Sequence, residues 1–207
     1  MAKILGKSSS QIISIFMLII LMMISKSTSA PNFLANTCSN NSQYHTNLNT
    51  LFRYLTTNAT NPTGFHQAVS SNGNTTNEAV YGNFLCRGDQ NISTCHDCVT
   101  TATTTDLPTT YCPNRKDAII WYDECLVRYS NQSFFGTMNT KPSWIYWSAN
   151  NITGNTTRFM ELMSNVMNNV IAVRAATTGG SSWQKKFATD FVNYTSFQTI
   201  YGFGQCC

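Results

Sequence analysis

Val80-Tyr81-Gly82-Asn83-Phe84-Leu85-Cys86-Arg87-Gly88-Asp89, followed shortly by Cys95-His96-Asp97-Cys98, carries the densest structural information in the chain. Apolar and aromatic residues crowd Ala79 to Cys86, which reads as a strand. Residues Cys95 to Thr105 are expected to open a short second helix. Cys95 and Cys98 have the C-x-x-C spacing of a redox dithiol or of half a zinc site. Zinc needs a second ligand pair, and His45 and His66 stand alone in the sequence. A thioredoxin-type dithiol needs a βαβ setting that the neighbouring pattern lacks. Structural disulfides are therefore the expected use.

The eight cysteines are Cys38, Cys86, Cys95, Cys98, Cys112, Cys125, Cys206 and Cys207. An even set in an exported chain reads as a disulfide framework. The first six form one unit between residues 38 and 125, for which spacing alone leaves about 15 pairings open. Export is indicated at the N-terminus. Lys3 and Lys7 precede an apolar run from Ile12 to Ile24, and small residues from Ser27 to Ala30 close it. That is the layout of a cleavable signal peptide over residues 1–30, with a core shorter than the roughly 20 residues of a membrane span. No second long apolar run follows, so no membrane anchor is expected in the mature chain.

The net charge is +4, and its basic residues are dispersed without a stripe or run, which speaks against nucleic acid as a partner. Asn-x-Ser/Thr triplets occur at Asn40, Asn58, Asn74, Asn91, Asn131, Asn151, Asn155 and Asn193. All but Asn91, which lies inside a tight cysteine loop, are candidate glycosylation positions and hence surface markers.

Working outward, Leu48, Leu51, Phe52 and Leu55 share one face of an expected helix over residues 43–56. Residues 70–77 read as an exposed loop. Ala118 to Tyr129 reads as a strand, with Phe134 and Phe135 closing the sheet. Residues 136–157 form a linker whose Trp144, Tyr146 and Trp147 are expected to pack on the domain. Phe159, Leu162, Met163, Val166, Met167, Val170 and Ile171 then repeat at helical spacing. Finally Ile200-Tyr201-Gly202-Phe203-Gly204-Gln205-Cys206 echoes Val80 to Cys86, so helix, polar loop and Tyr-Gly-x-x-x-Cys strand occur twice.

The cysteine pattern from Cys38 to Cys125, with Ile119-Ile120-Trp121-Tyr122-Asp123-Glu124-Cys125 before Arg128-Tyr129-Ser130, resembles the plant ginkbilobin-like domain, also called the salt-stress-response/antifungal domain. That domain occurs in cysteine-rich repeat secretory proteins and in the ectodomains of cysteine-rich receptor-like kinases. The chain looks most similar to the secretory branch. The resemblance implies an α+β fold, with two helices packed on an antiparallel sheet of about five strands. It also implies the bridges Cys38–Cys112, Cys86–Cys95 and Cys98–Cys125. The expected organisation is a signal peptide at 1–30, a complete domain at 31–135, a linker at 136–157 and an incomplete second copy at 158–207.

Mannose binding with antifungal action is one activity in this family. Its sugar-contacting Asn, Arg and Glu fall here on Ser39, Ile119 and Ser130, all of which depart from the pattern. The expected function is thus a secreted, non-catalytic binding module of plant defence or stress signalling in the apoplast. Its partner would be an extracellular protein or a cell-wall glycan. A mannose-binding antifungal lectin is the alternative. No catalytic constellation, metal or cofactor is expected: Asp123 and Glu124 are adjacent in a strand and so point to opposite faces. Cys206 and Cys207 stand outside the six-cysteine unit, which raises a disulfide-linked dimer as an expectation.

Overall fold

A computed structural model describes residues 30–38, 44–71, 78–177 and 186–205. Residues 1–29, Ser39, Asn40, Asn74, Cys206 and Cys207 lie outside the described residues, as do the side chains of Thr37 and Cys38. Five strands form one antiparallel sheet: β1 (Phe33–Cys38), β2 (Phe65–Ser70), β3 (Val80–Cys86), β4 (Ala118–Tyr122) and β5 (Cys125–Ser130), in the order β1-β4-β5-β3-β2. Strand β3 alternates strictly, with Val80, Gly82, Phe84 and Cys86 buried and Tyr81, Asn83 and Leu85 half-buried. Period-two alternation of this kind gives a sheet one buried face and one open face.

Helices cover the buried face. In α1 (His45–Asn58) the side chains of Leu48, Leu51, Phe52 and Leu55 point into the core. Helix α2 (Ile92–Thr101) starts at Asn91, whose Oδ1 accepts the Thr94 N–H at 2.9 Å. It does not stop near Thr105 but continues to Tyr111 as a wider π-type coil. Two features of the sequence loosen the regular ladder there. Pro108 has no N–H to give, and the hydroxyls of Thr103, Thr104 and Thr109 bond back to carbonyls one turn earlier.

The run from Ala118 to Tyr129 is two strands rather than one. Asp123 and Glu124 form the tight turn between β4 and β5, so the opposite-faces argument does not apply to them. The Glu124 carboxylate accepts the Asn32 N–H, and the carbonyls of Asp123 and Glu124 accept the Arg87 side chain and the Arg87 N–H. Between Phe134 and Asn155 the chain has no regular element. Trp144, Tyr146 and Trp147 are exposed there, instead of packing on the domain, and the Tyr146 hydroxyl bonds the Leu34 carbonyl.

Residues 156–205 repeat the order of helix and hairpin seen in α1, β2 and β3. Helix α3 (Thr156–Ser164) passes through a π-type turn (Asn165–Ile171) into α4 (Ala172–Thr177), and β6 (Phe187–Asn193) pairs with β7 (Thr199–Gln205). The registers coincide: Phe65 faces Leu85 as Phe187 faces Gln205, and Val69 faces Tyr81 as Phe191 faces Tyr201. The hydrogen-bond phase coincides too. Cys86 N–H bonds Gly64 O, and Tyr194 N–H bonds Gln198 O, each one step beyond its ladder. Hydrogen-bonded and non-bonded pairs alternate along an antiparallel ladder. Tyr81, Asn83 and Leu85 therefore turn their backbone groups away from β2, toward β5, and Tyr201, Phe203 and Gln205 turn theirs away from β6.

Even the helix contact recurs. A Cβ on Gly82 would lie 2.6 Å from Leu51 Cδ2, and one on Gly202 would lie 2.7 Å from Ile171 Cδ1. Each glycine lets its helix lie close on the strand. In the first copy β5 extends the sheet beside β3. Among the described residues no strand pairs with the matching edge of β7.

Candidate binding site

The cysteines set the frame. Cys86 ends β3 and is bonded to Cys95; Cys125 starts β5 and is bonded to Cys98. Cys86 and Cys125 are register partners on adjacent strands. Cys95 and Cys98 are three residues apart on α2 and therefore share one helix face. The C-x-x-C thiols are thus each taken by a different strand, and the helix is clamped across both strand ends. Cys112 is also disulfide-bonded and lies next to β1, where Asn36 Nδ2 approaches its Sγ at 3.6 Å.

Beyond this corner, the face of the sheet away from the helices is lined by three cross-strand rows that the register defines. Phe65, Leu85, Leu126 and Trp121 form an apolar row. Gln67, Asn83, Arg128 and Ile119 form the next, and Val69, Tyr81 and Ser130 the third. Ile119 therefore sits on the same face as Arg128, directly across from it, and is buried. It puts hydrocarbon where the resemblance expects a guanidinium. The Ser130 hydroxyl accepts the Gln132 N–H, in place of the expected carboxylate. Ser39 lies outside the described residues.

The guanidinium on this face comes from Arg128 instead. It lies 4.1 Å from the centre of the Phe134 ring, a cation–π arrangement. Phe134 in turn meets Phe135 edge to face, and Phe135 meets Tyr81. The two phenylalanines thus cover the open face of the sheet rather than extend it. Between them and the strands lies a cavity of about 430 Å³, lined by Phe65, Gln67, Asn83, Arg128, Phe134 and Phe135 and by the loop from Gly136 to Asn139. Asn83 Oδ1 is shut away from solvent and accepts no hydrogen bond from the protein. Arg128 forms no ion pair among the described residues.

A second cleft, of about 480 Å³, lies where the second copy meets the first. Phe187, Phe191, Tyr201 and Phe203 line one side and Arg87 and Asp89 the other. Arg87 Nε donates to Asp89 Oδ1 at 2.7 Å, and this bond holds the Asp89 carboxyl below its usual range. The two copies are pinned by Gln205. Its Nε2 donates to Cys86 O at 2.9 Å, and its Oε1 accepts Gly88 N–H at 3.1 Å. A Cβ on Gly88 would lie 2.2 Å from the Phe187 ring, so the glycine admits the docked hairpin.

Gln205→Ala is expected to weaken this junction by about 1–3 kcal/mol, since it removes two hydrogen bonds that cross it. Amide exchange in β6 and β7 should then rise while α1 and β3 keep their protection. Unchanged exchange in the hairpin would show that other contacts hold it.

The remaining chemistry-bearing residues do not assemble. His66 is on β2 against the Phe84 ring, where burial lowers its pKa, and His96 is on α2 beside Asp97. Among the described residues no group of three or more His, Cys, Asp or Glu is placed to hold a metal ion. Of the glycosylation candidates, Asn131, Asn151, Asn155 and Asn193 are exposed and Asn58 is half-buried. Asn155 caps α3 and Asn193 holds Thr199 through Oδ1, which leaves the amide nitrogen for a sugar.

Arg128, Asn83 and Gln205 escaped the sequence reading. The alternation of β5 already places Arg128 on the open face. Nothing local announces Gln205, whose bonds reach across more than a hundred residues.

The salt stress response/antifungal family matches residues 30–132. Cysteine-rich receptor-like protein kinase 25 of Arabidopsis thaliana is 42% identical over 208 residues, which cover 97% of this chain and 29% of that protein. Cysteine-rich repeat secretory protein 1 of Arabidopsis thaliana is 35% identical over 138 residues, covering 64% of this chain and 39% of that protein. The chain spans about three tenths of the length of this receptor-like kinase and of two others it matches. The crystal structure of the tandem DUF26 ectodomain of the Arabidopsis thaliana cysteine-rich receptor-like protein PDLP8 has a TM-score of 0.65 at 21% identity, covering 86% of this chain and 78% of that one. At that identity the likeness is one of fold.

Proposed function

The chain belongs to the salt stress response/antifungal family, and from that premise we propose that it is a secreted, non-catalytic binding module of plant defence or stress signalling. Its relatives are extracellular ectodomains or secreted proteins. No helix among the described residues is long and apolar enough to cross a membrane. The observation that carries the proposal is the open face of the first sheet. There polar donors and aromatic walls meet in a cavity with no carboxylate in its lining. Such a mixed concave surface suits recognition.

The proposal includes a signal peptide at residues 1–30, release to the apoplast, and glycans on exposed Asn-x-Ser/Thr positions. Its domain limits are 31–135 for the complete copy, 136–157 for the linker and 158–207 for the partial second copy. It also includes a third bridge between Cys38 and Cys112, and a disulfide-linked dimer through Cys206 or Cys207 as one assembly. Mannose recognition at the family position is set aside, because buried Ile119 can donate no hydrogen bond and Ser130 supplies no carboxylate.

The direct test is capture from apoplastic fluid on immobilised oxidised protein, run beside a glycan array, with reduced and alkylated protein as the control. A partner or glycan bound by the oxidised form alone is expected. Binding to neither, or equal binding by the reduced form, would overturn the proposal.

A further inference from the structure

We propose that the cavity between β2, β3, β5 and Phe134–Phe135 binds the C-terminal carboxylate of a peptide whose last side chain is apolar. This rests on the reading of the chain as a binding module and names the chemistry of its ligand. The polar side of the cavity is rich in donors and contains no acid: Arg128, Asn83 and Gln67 line it, with no Asp or Glu. Arg128 and Asn83 are cross-strand neighbours, and Asn83 and Gln67 are too, so the three functional groups form one row across three strands.

Phe134 takes one side of the guanidinium, 4.1 Å from its carbon, and Arg128 lines the cavity with N–H donors suited to a planar acceptor. A carboxylate is the acceptor that matches these donors, through two parallel bonds. A cation on this face would meet Arg128 with nothing acidic to offset it. A neutral ligand would leave the guanidinium charge unmatched.

The other walls are the rings of Phe65, Phe134 and Phe135 and the loop residues Thr137, Met138 and Asn139. The three rings and the methionine offer apolar surface to an aliphatic or aromatic side chain. A peptide terminus carries the carboxylate, one N–H and a side chain on a single carbon. The amide of Asn83, whose Oδ1 accepts nothing from the protein, stands next to Arg128 to meet that N–H after a small rotation.

The experiment uses the full secreted, oxidised chain and a fluorescein-labelled pentapeptide ending in leucine, followed by fluorescence anisotropy. The free acid is expected to bind at least tenfold more tightly than the same peptide with an amidated C-terminus. Arg128→Gln should lose at least tenfold in affinity for the acid. Asn83→Asp, which supplies Arg128 with a carboxylate from the neighbouring strand, should lose a similar factor. Thermal unfolding and disulfide mapping identify a variant that merely misfolds. Equal affinity for acid and amide, or full affinity in correctly folded Arg128→Gln, overturns the proposal. So does binding of trigalacturonate with no binding of the peptide, which would assign the cavity to acidic saccharides. Failure of the peptide together with successful capture from apoplastic fluid sinks this ligand and leaves the binding-module reading standing; failure of both sinks both.

Discussion

Replacing Cys98 and Cys125 together by alanine is expected to lower the stability of the first copy by about 3.5 kcal/mol, and replacing Cys86 and Cys95 by about 2.6 kcal/mol. The difference comes from loop length. The first bridge closes a span of 27 residues and the second a span of 9, and the chain entropy removed from the unfolded state grows with the logarithm of that span. The longer bridge also joins α2 to β5, a central strand, with Cys98 and Cys125 both buried. Urea unfolding of the two double variants, followed by tryptophan fluorescence, checks the order. A larger loss on removing the Cys86–Cys95 bridge would show that native-state packing at the strand end outweighs loop closure.

The second large effect concerns Leu51 and Gly82. Leu51→Ala should cost about 3–4 kcal/mol, because Leu51 is completely buried and its removal leaves a cavity under the sheet. Gly82→Ala should cost about 2 kcal/mol for the opposite reason. Its new methyl would sit 2.6 Å from Leu51 Cδ2 and 3.2 Å from the Arg128 carbonyl oxygen. Combined, the two changes relieve one another, since the methyl at 82 enters space that the leucine has left. The double variant should therefore be more stable than the sum of the single losses predicts, by at least about 1 kcal/mol. Additive losses in a double-mutant cycle would refute direct contact as the origin of the glycine requirement. On β7 a Cβ at Gly202 would lie 2.7 Å from buried Ile171 and 2.9 Å from Met167; the partly exposed methionine can move aside but the isoleucine cannot, so Gly202→Ala should be destabilising as well.

Strand β3 was legible because its alternation is complete, and both helix faces because their apolar spacing is regular. The β4–β5 hairpin reads as a single strand because its turn, Asp123-Glu124, offers one aspartate as a turn signal and neither glycine nor proline between two strongly apolar runs. The edge strands were not legible locally. Strand β1 reads Phe-Leu-Ala-Asn-Thr-Cys and β2 reads Phe-His-Gln-Ala-Val-Ser, neither with clean alternation. Edge strands are defined by the partner they receive on one side, and that information is not in their own residues. The family positions Ile119 and Ser130 could be assessed from sequence because they are defined by distance from Cys125. Arg128 drew no attention, although it lies between Cys125 and Ser130, because its role depends on Phe134 folding back over the sheet.

The two bridges that leave adjacent turns of α2 also act as an angular gauge. Each residue of an α-helix advances the chain by about 100°. Inserting or deleting a single residue between Cys95 and Cys98 would swing one thiol away from its strand while the other stayed in place. Two cysteines that must reach two neighbouring strands at once tolerate one helical phase and one strand register. Both native bridges can close together only on a correctly wound and correctly paired chain. A chain with the wrong helical phase would form at most one of them and leave its remaining cysteines open to exchange.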